Sequence, residues 1–194
     1  VVGRPRLDST SGIDQTVYYL SRALAERGNA VRIFSITNRG PAPVPGVEVS
    51  AFPFWRNPFT VPGRLEEALN EFGADVVHIH SVYSPPLTAV ARWAGRKGVP
   101  YVVRPAGGLS EAAERRNRAQ KRLYKRLFER PALDKAAFVH SVGDTGAIEA
   151  YGVRAPIIET HKGVILGEPP EPESLHRTVP EGTRVIGFLG RLDP

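Results

Sequence analysis

The chain contains no cysteine and no methionine. Without cysteine there is no disulfide framework, no thiolate metal site and no cysteine nucleophile. A chain that lacks methionine and opens on valine is expected to be a fragment of a longer protein. Long apolar runs are missing as well. The longest, such as Ala136-Ala137-Phe138-Val139, span about four residues, against the roughly 20 that a membrane helix needs. No secretory leader is visible. G-x-G-x-x-G, G-x-x-x-x-G-K and G-x-S-x-G are all absent. Their absence removes support for a dinucleotide fold, a triphosphate-binding loop and an α/β-hydrolase.

What is present is ordinary globular material. Of 194 residues, 41% are hydrophobic and 24% charged, and a chain of this size buries roughly 70% of its unfolded surface without staples. Nineteen glycines and 18 prolines are more than average but fall short of a disordered composition. The net charge of +6 is concentrated in one place. Between Glu111 and Arg130, eight basic and three acidic residues carry a net +5. The remainder is nearly neutral, so the pattern points to one local basic element and not to nucleic-acid binding.

Short strand patterns alternate with amphipathic helices. Ile13, Val17, Leu20 and Leu24 fall on one helical face, which Gly28-Asn29 ends. Strands are expected around Ile33, over 47–52, 75–80, 101–104, 137–141, 156–160 and 184–189. Helices are expected over 65–72, 84–97, 111–130 and 144–151. Val1-Val2 stands where the first strand should be. This alternation predicts an α/β fold, a Rossmann-like parallel sheet with helices on both faces. In such sheets ligands bind beyond the carboxyl ends of strands. His80, the stretch Arg104 to Gly108, and Arg191 are therefore the favoured positions.

Ser11 and Asp14 are spaced as a capping box, and Gly12 leaves the helix N-terminus open to an anion. The same residues also serve as a plain helix cap. His78 and His80 share one strand face. The two-residue spacing would suit a metal pair, but no third ligand is evident and no metal site is expected. His80 stands where it can hydrogen-bond a substrate hydroxyl, and His78 is expected to be a core histidine. The basic helix carries an apolar stripe of Ala119, Leu123 and Leu127, with Tyr124 and Phe128 beside it. That combination suits either an anionic membrane surface, through Arg115, Arg118, Arg122 and Lys125, or a solvated charged face over an ordinary core stripe.

The ordered set of motifs resembles the N-terminal half of a retaining, GT-B type glycosyltransferase of glycosyltransferase family four. The matching stretches are Ser11-Gly12-Ile13-Asp14-Gln15-Thr16, then Leu20 to Gly28, Asp75 to Ser81, Arg104-Pro105-Ala106-Gly107-Gly108-Leu109, Lys162-Gly163-Val164, and Gly187 to Pro194. The resemblance implies one half of a GT-B fold: a Rossmann-like domain over 1–166, a Pro/Glu-rich linker over 167–182, and over 183–194 the first strand of a donor-binding domain. It implies an acceptor side at His80, Gly107 and Gly108, and donor-phosphate contacts at Gly12 and Arg191. His80 and Arg104 are the catalytic candidates. The implied substrates are a nucleotide sugar and a glycan, lipid or small-molecule acceptor. No cofactor and no metal are implied, and the location is cytoplasmic, peripheral on the inner face of the membrane. The chain departs from the family at Ser11, Ala106 and Lys162. The family's further lysine and paired glutamates fall beyond Pro194, so these residues alone are expected to be inactive. Two other functions fit the residues: a non-catalytic α/β domain that binds a membrane or anionic partner through its basic helix, and another GT-B enzyme such as a sugar-nucleotide epimerase.

Overall fold

The computed structural model describes residues 2–3, 12–37, 43–110, 122–161 and 163. All but Gly163 belong to the first of two units, Val1–Lys162. The expected strand over 184–189, the linker over 167–182 and much of the basic helix lie outside the described residues.

Strand and helix alternate as the pattern predicts. The strands are β1 (Val2–Gly3), β2 (Arg32–Ile36), β3 (Glu48–Phe52), β4 (Val77–His80), β5 (Tyr101–Arg104), β6 (Phe138–Ser141) and β7 (Ile157–Glu159). They form one sheet in the order β3-β2-β1-β4-β5-β6-β7, and every pair is parallel. The helices are α1 (Gly12–Glu26), α2 (Gly63–Phe72), α3 (Pro85–Lys97), α4 (Arg130–Asp134) and α5 (Thr145–Tyr151). Strand order reverses between β1 and β4, which is the switch point of a doubly wound, Rossmann-like fold. Punctuation residues set the helix ends. Pro85 and Pro86 open α3, where a missing N–H costs nothing, and Gly98 closes it at φ 72°.

The two-residue period of the strands divides the core. On β2, Ile33 packs with Val17 of α1 and Val44, whereas Phe34 joins Leu65 and Leu69 of α2 on the other face. Leu87, Trp93, Leu133 and Ile148, from α3, α4 and α5, extend that second layer. Right-handed crossovers account for the split: the β1-to-β2 step runs one way along the sheet and all later helical steps run the other.

Two packing details differ from the expected pattern. On α1 the buried residues are Asp14, Val17 and Ser21, while Ile13, Leu20 and Leu24 lie on the flanks at intermediate depth. Fully buried Ser21 stands where a leucine would hold the helix off the sheet. In the basic segment, Leu123 is 63% and Leu127 50% exposed, while Tyr124 and Phe128 turn inward. The helix also continues past Arg130 to Asp134, through Pro131. It does so by widening to a π turn over Lys125–Glu129, in which the Arg130 N–H reaches Lys125 O. Proline lacks an N–H and crowds the carbonyl four residues back, and the wider turn relieves both.

Candidate functional site

The carboxyl edge of the sheet gathers the chemistry. β4 ends on His80 and β5 on Arg104, and these two are register partners in adjacent strands. Ile79 and Val103 face the helical layer of α2 to α5, so alternation sends His78, His80 and Arg104 to the opposite face. Beyond the strand ends the backbone leaves its ordinary range. Ser81 (φ 91°), Tyr83 (φ 55°) and Ala106 (φ 53°) are the non-glycine residues with positive φ among the described ones, and all three border this edge. Each costs on the order of 1–3 kcal/mol and needs its surroundings to hold it. The Ser81 N–H donates to Arg104 O at 2.8 Å, extending the ladder one step. The Tyr83 N–H donates to Glu129 Oε2 at 2.8 Å.

Asp144, just before α5, ties the edge together. Its Oδ2 accepts the Gly107 N–H at 3.0 Å. Its Oδ1 accepts the Ser141 hydroxyl at 3.0 Å and the Val142 N–H at 3.1 Å. Burial would raise this carboxyl, but the N–H groups of Gly107 and Val142 and the Ser141 hydroxyl outweigh it and hold it below the usual range.

A layer of imidazoles covers the same face. The rings of His78 and His80 lie 4.2 Å apart. His140 of β6 reaches across β5, bringing its Nδ1 to 3.5 Å from His78 Nε2, and its Nε2 meets Thr160 Oγ1 at 2.6 Å. Burial lowers all three, with neighbouring positive charge second. His78 falls to about 3, pushed also by His140, and His80 falls well below its ordinary value. His140 is lowered by burial and by Arg104, with Asp144 opposing. The layer is therefore neutral at physiological pH, and each ring offers one donor and one acceptor.

His80 and Arg104 stand apart in one respect. His80 is fully buried, yet neither ring nitrogen has a hydrogen-bond partner. Arg104 is 5% exposed, and its Nε and Nη1 are likewise without partners. Burial lowers the Arg104 guanidinium and Asp144 opposes the shift. It remains a cation at any physiological pH. Buried polar groups left unmatched are uncommon and cost about 1–3 kcal/mol each.

The predicted glycines occupy distinct roles. Gly107 is exposed at φ 78°, and its N–H is taken by Asp144. At Gly108 an added Cβ would lie 2.5 Å from Val82 Cγ2 and 3.1 Å from Pro105 O, so the packing itself calls for glycine. Gly12 is the exposed first residue of α1, and its carbonyl accepts the Thr16 hydroxyl at 2.7 Å. Because β1 pairs with β4, α1 begins at the same sheet edge as His80. Ser11, Arg115, Arg118 and Arg191 lie outside the described residues. Arg122 is exposed, and Lys125 lies over the Tyr151 ring at 3.5 Å from its centroid. Three participants were missed from sequence: Asp144, His140 and Glu129. Asp144 and His140 carried a signal, since both stand at or just after the expected 137–141 strand. Among the described residues, no group of three His, Cys, Asp or Glu side chains could hold a metal ion.

A doubly wound parallel sheet whose switch-point edge presents an open helix N-terminus, a buried neutral imidazole and an unmatched guanidinium defines a Rossmann-like, ligand-binding half-enzyme. Residues 11–159 match the glycosyl transferase 4-like domain, and the chain belongs to that family. Membership carries glycosyl transfer as its activity at the general level. No curated protein shows significant similarity to the chain.

Proposed function

We propose that this domain is the acceptor-side half of a glycosyltransferase that uses a nucleotide-sugar donor, with His80 and Arg104 facing the acceptor. The observation that carries the reading is the pair of buried, partnerless groups at the register-matched ends of β4 and β5. A sugar hydroxyl is both donor and acceptor, and so is the neutral His80 imidazole. The Arg104 guanidinium donates only, and it suits an acceptor oxygen or the charge that develops on a departing phosphate. The N-terminus of α1 at Gly12 and, by resemblance, Arg191 supply donor-phosphate contacts. The chain's own residues thus bind and orient the acceptor, and the Asp144 clamp holds the Gly107 turn beside it. The test is an assay of the full-length enzyme against a panel of nucleotide sugars, repeated with His80→Ala. Transfer by the native enzyme that falls roughly 10²-fold in the variant supports the assignment. Full activity of a folded variant removes His80 from the site.

A second reading concerns location. Leu123 and Leu127 project into solvent between Arg122 and Arg126. A core stripe would bury those leucines, and a membrane-surface helix would not. This exposure favours reversible docking of the basic segment on an anionic leaflet, where each Lys or Arg adds on the order of 1 kcal/mol. Co-sedimentation with anionic vesicles that vanishes in high salt supports it, and equal, negligible binding to anionic and neutral vesicles refutes it.

A further inference from the structure

A groove of about 300 Å³ runs between α3 and the Lys125–Asp134 segment. It lies against Tyr101, at the start of β5, and so at the opposite end of that strand from Arg104. Nothing in the proposed transfer uses it. Its rim carries Arg92, Arg96 and Lys135, all exposed, and no acidic side chain lines it. Among the described residues, none of these three cations has an ion-pair partner. Arg92 and Arg96 are one helical turn apart, so their guanidinium groups project side by side.

The floor and one wall are apolar. Phe128, Ala132 and Pro131 supply the floor. Phe59, 51% exposed, closes one end: its ring lies 5.2 Å from Phe128 and 5.3 Å from the Arg92 guanidinium. The loop that presents it is firmly built. The Phe59 N–H donates to Asn57 Oδ1 at 2.8 Å, and Trp55 Nε1 donates to Thr60 O at 3.1 Å. An exposed aromatic is thus held in place without being buried.

Gly95 keeps the groove open. It lies within α3 between the two arginines, and a Cβ placed there would meet nothing within 4 Å. Glycine inside a helix is destabilising relative to alanine, and no neighbour here requires it. Arg96 also offsets the helix dipole in the last turn, which accounts for one charge but not for the open floor.

We propose that this groove seats the phosphate of an anionic phospholipid headgroup, with Arg92, Arg96 and Lys135 around the anion and Phe59, Leu123 and Leu127 entering the acyl boundary. The proposal rests on the membrane-docking reading and adds a specific seat to it. Charge complementarity selects an anion, and paired guanidinium forks match phosphate geometry. The exposed apolar side chains beside them select an anion joined to an apolar phase. An acidic protein surface would leave those leucines in water.

The experiment is vesicle co-sedimentation of the full-length protein, with phosphatidylglycerol-containing and pure phosphatidylcholine vesicles. The informative variant is Gly95→Leu, which fills the groove, leaves every charge in place and favours the helix. It should lose roughly tenfold in binding to phosphatidylglycerol vesicles, with no drop in melting temperature. Arg96→Gln with Lys135→Gln should lose on the order of twentyfold, about fivefold for each charge. If Gly95→Leu binds like the native protein, there is no seat; this inference fails and the docking reading stands. If the native protein binds neither vesicle, both fail. A melting temperature raised by glycerol phosphate, abolished by Gly95→Leu and unaccompanied by vesicle binding, would overturn the lipid assignment in favour of a free phosphate ligand.

Discussion

The carboxylate of Asp144 accepts the backbone N–H of Gly107 at 3.0 Å, joining the residue before α5 to the turn after β5 across 37 positions of sequence. The contact holds a backbone that does not hold itself, since Ala106 beside it sits at φ 53°. Asp144→Ala leaves the Gly107 and Val142 N–H groups without this acceptor. Urea unfolding should show a loss of about 1–2 kcal/mol, and kcat/KM of the full-length enzyme should fall by about tenfold or more. Asp144→Asn, which keeps an acceptor, should fall between. Native kcat/KM in the alanine variant would show that the turn takes no part in transfer.

Glu129 gives the domain a pH dependence of unusual sign. Burial pushes its carboxyl up to about 8 from 4.5, with the Tyr83 N–H pulling the other way. Between those values the folded protein holds a proton that the unfolded chain has released. The contribution is therefore complete below about pH 4.5 and is lost as pH rises through about 8, by up to about 1.4 kcal/mol per unit. Glu129→Gln keeps the shape and an acceptor for Tyr83 while removing the ionisation. Urea midpoints measured at about pH 5 and about pH 8 should differ in the native protein and coincide in the variant.

Arg104 sets stability against activity. Its Nε and Nη1 are buried without partners, which disfavours the folded state until a ligand arrives. Arg104→Met keeps the length and removes the unmatched donors. Thermal unfolding should show unchanged stability or a gain of up to about 2 kcal/mol, while transfer falls roughly 10²-fold. A destabilised but active variant would falsify this assignment on both counts.

Gly108 is constrained by packing and not by a ligand. A Cβ there would stand 2.5 Å from Val82 Cγ2. Gly108→Ala should cost about 1–3 kcal/mol. Val82→Ala should recover part of that loss in the double variant, because it removes the clashing methyl. Additive losses in the double-mutant cycle would place the strain at Pro105 O instead.

Much of the fold was legible because its signals are local. Pro85-Pro86 and Gly98 bracket α3, and the 101–104 strand was read in full. The site was legible in part: His80, Arg104 and the Gly107-Gly108 turn follow from the rule that ligands meet strand carboxyl ends. The basic helix was read less well. Its stripe of Leu123 and Leu127 has helical spacing, and spacing alone does not say which face meets the sheet. The π turn ahead of Pro131 shifts the register, so Tyr124, Phe128 and Glu129 turn inward and the leucines outward. A one-residue change in hydrogen-bond period rotates every following side chain, and no local pattern announces it.

The sequence by itself determined the alternation of strand and helix, the parallel sheet and the edge where chemistry would lie, because apolar period and Gly/Pro punctuation act over a few residues. Only the tertiary structure decided what meets across the sheet. It set His140 against His78, Asp144 against Gly107 and Glu129 against Tyr83, over separations of 62, 37 and 46 residues. Those pairings depend on strand order and crossover hand, which place distant residues side by side whatever their immediate neighbours in the chain.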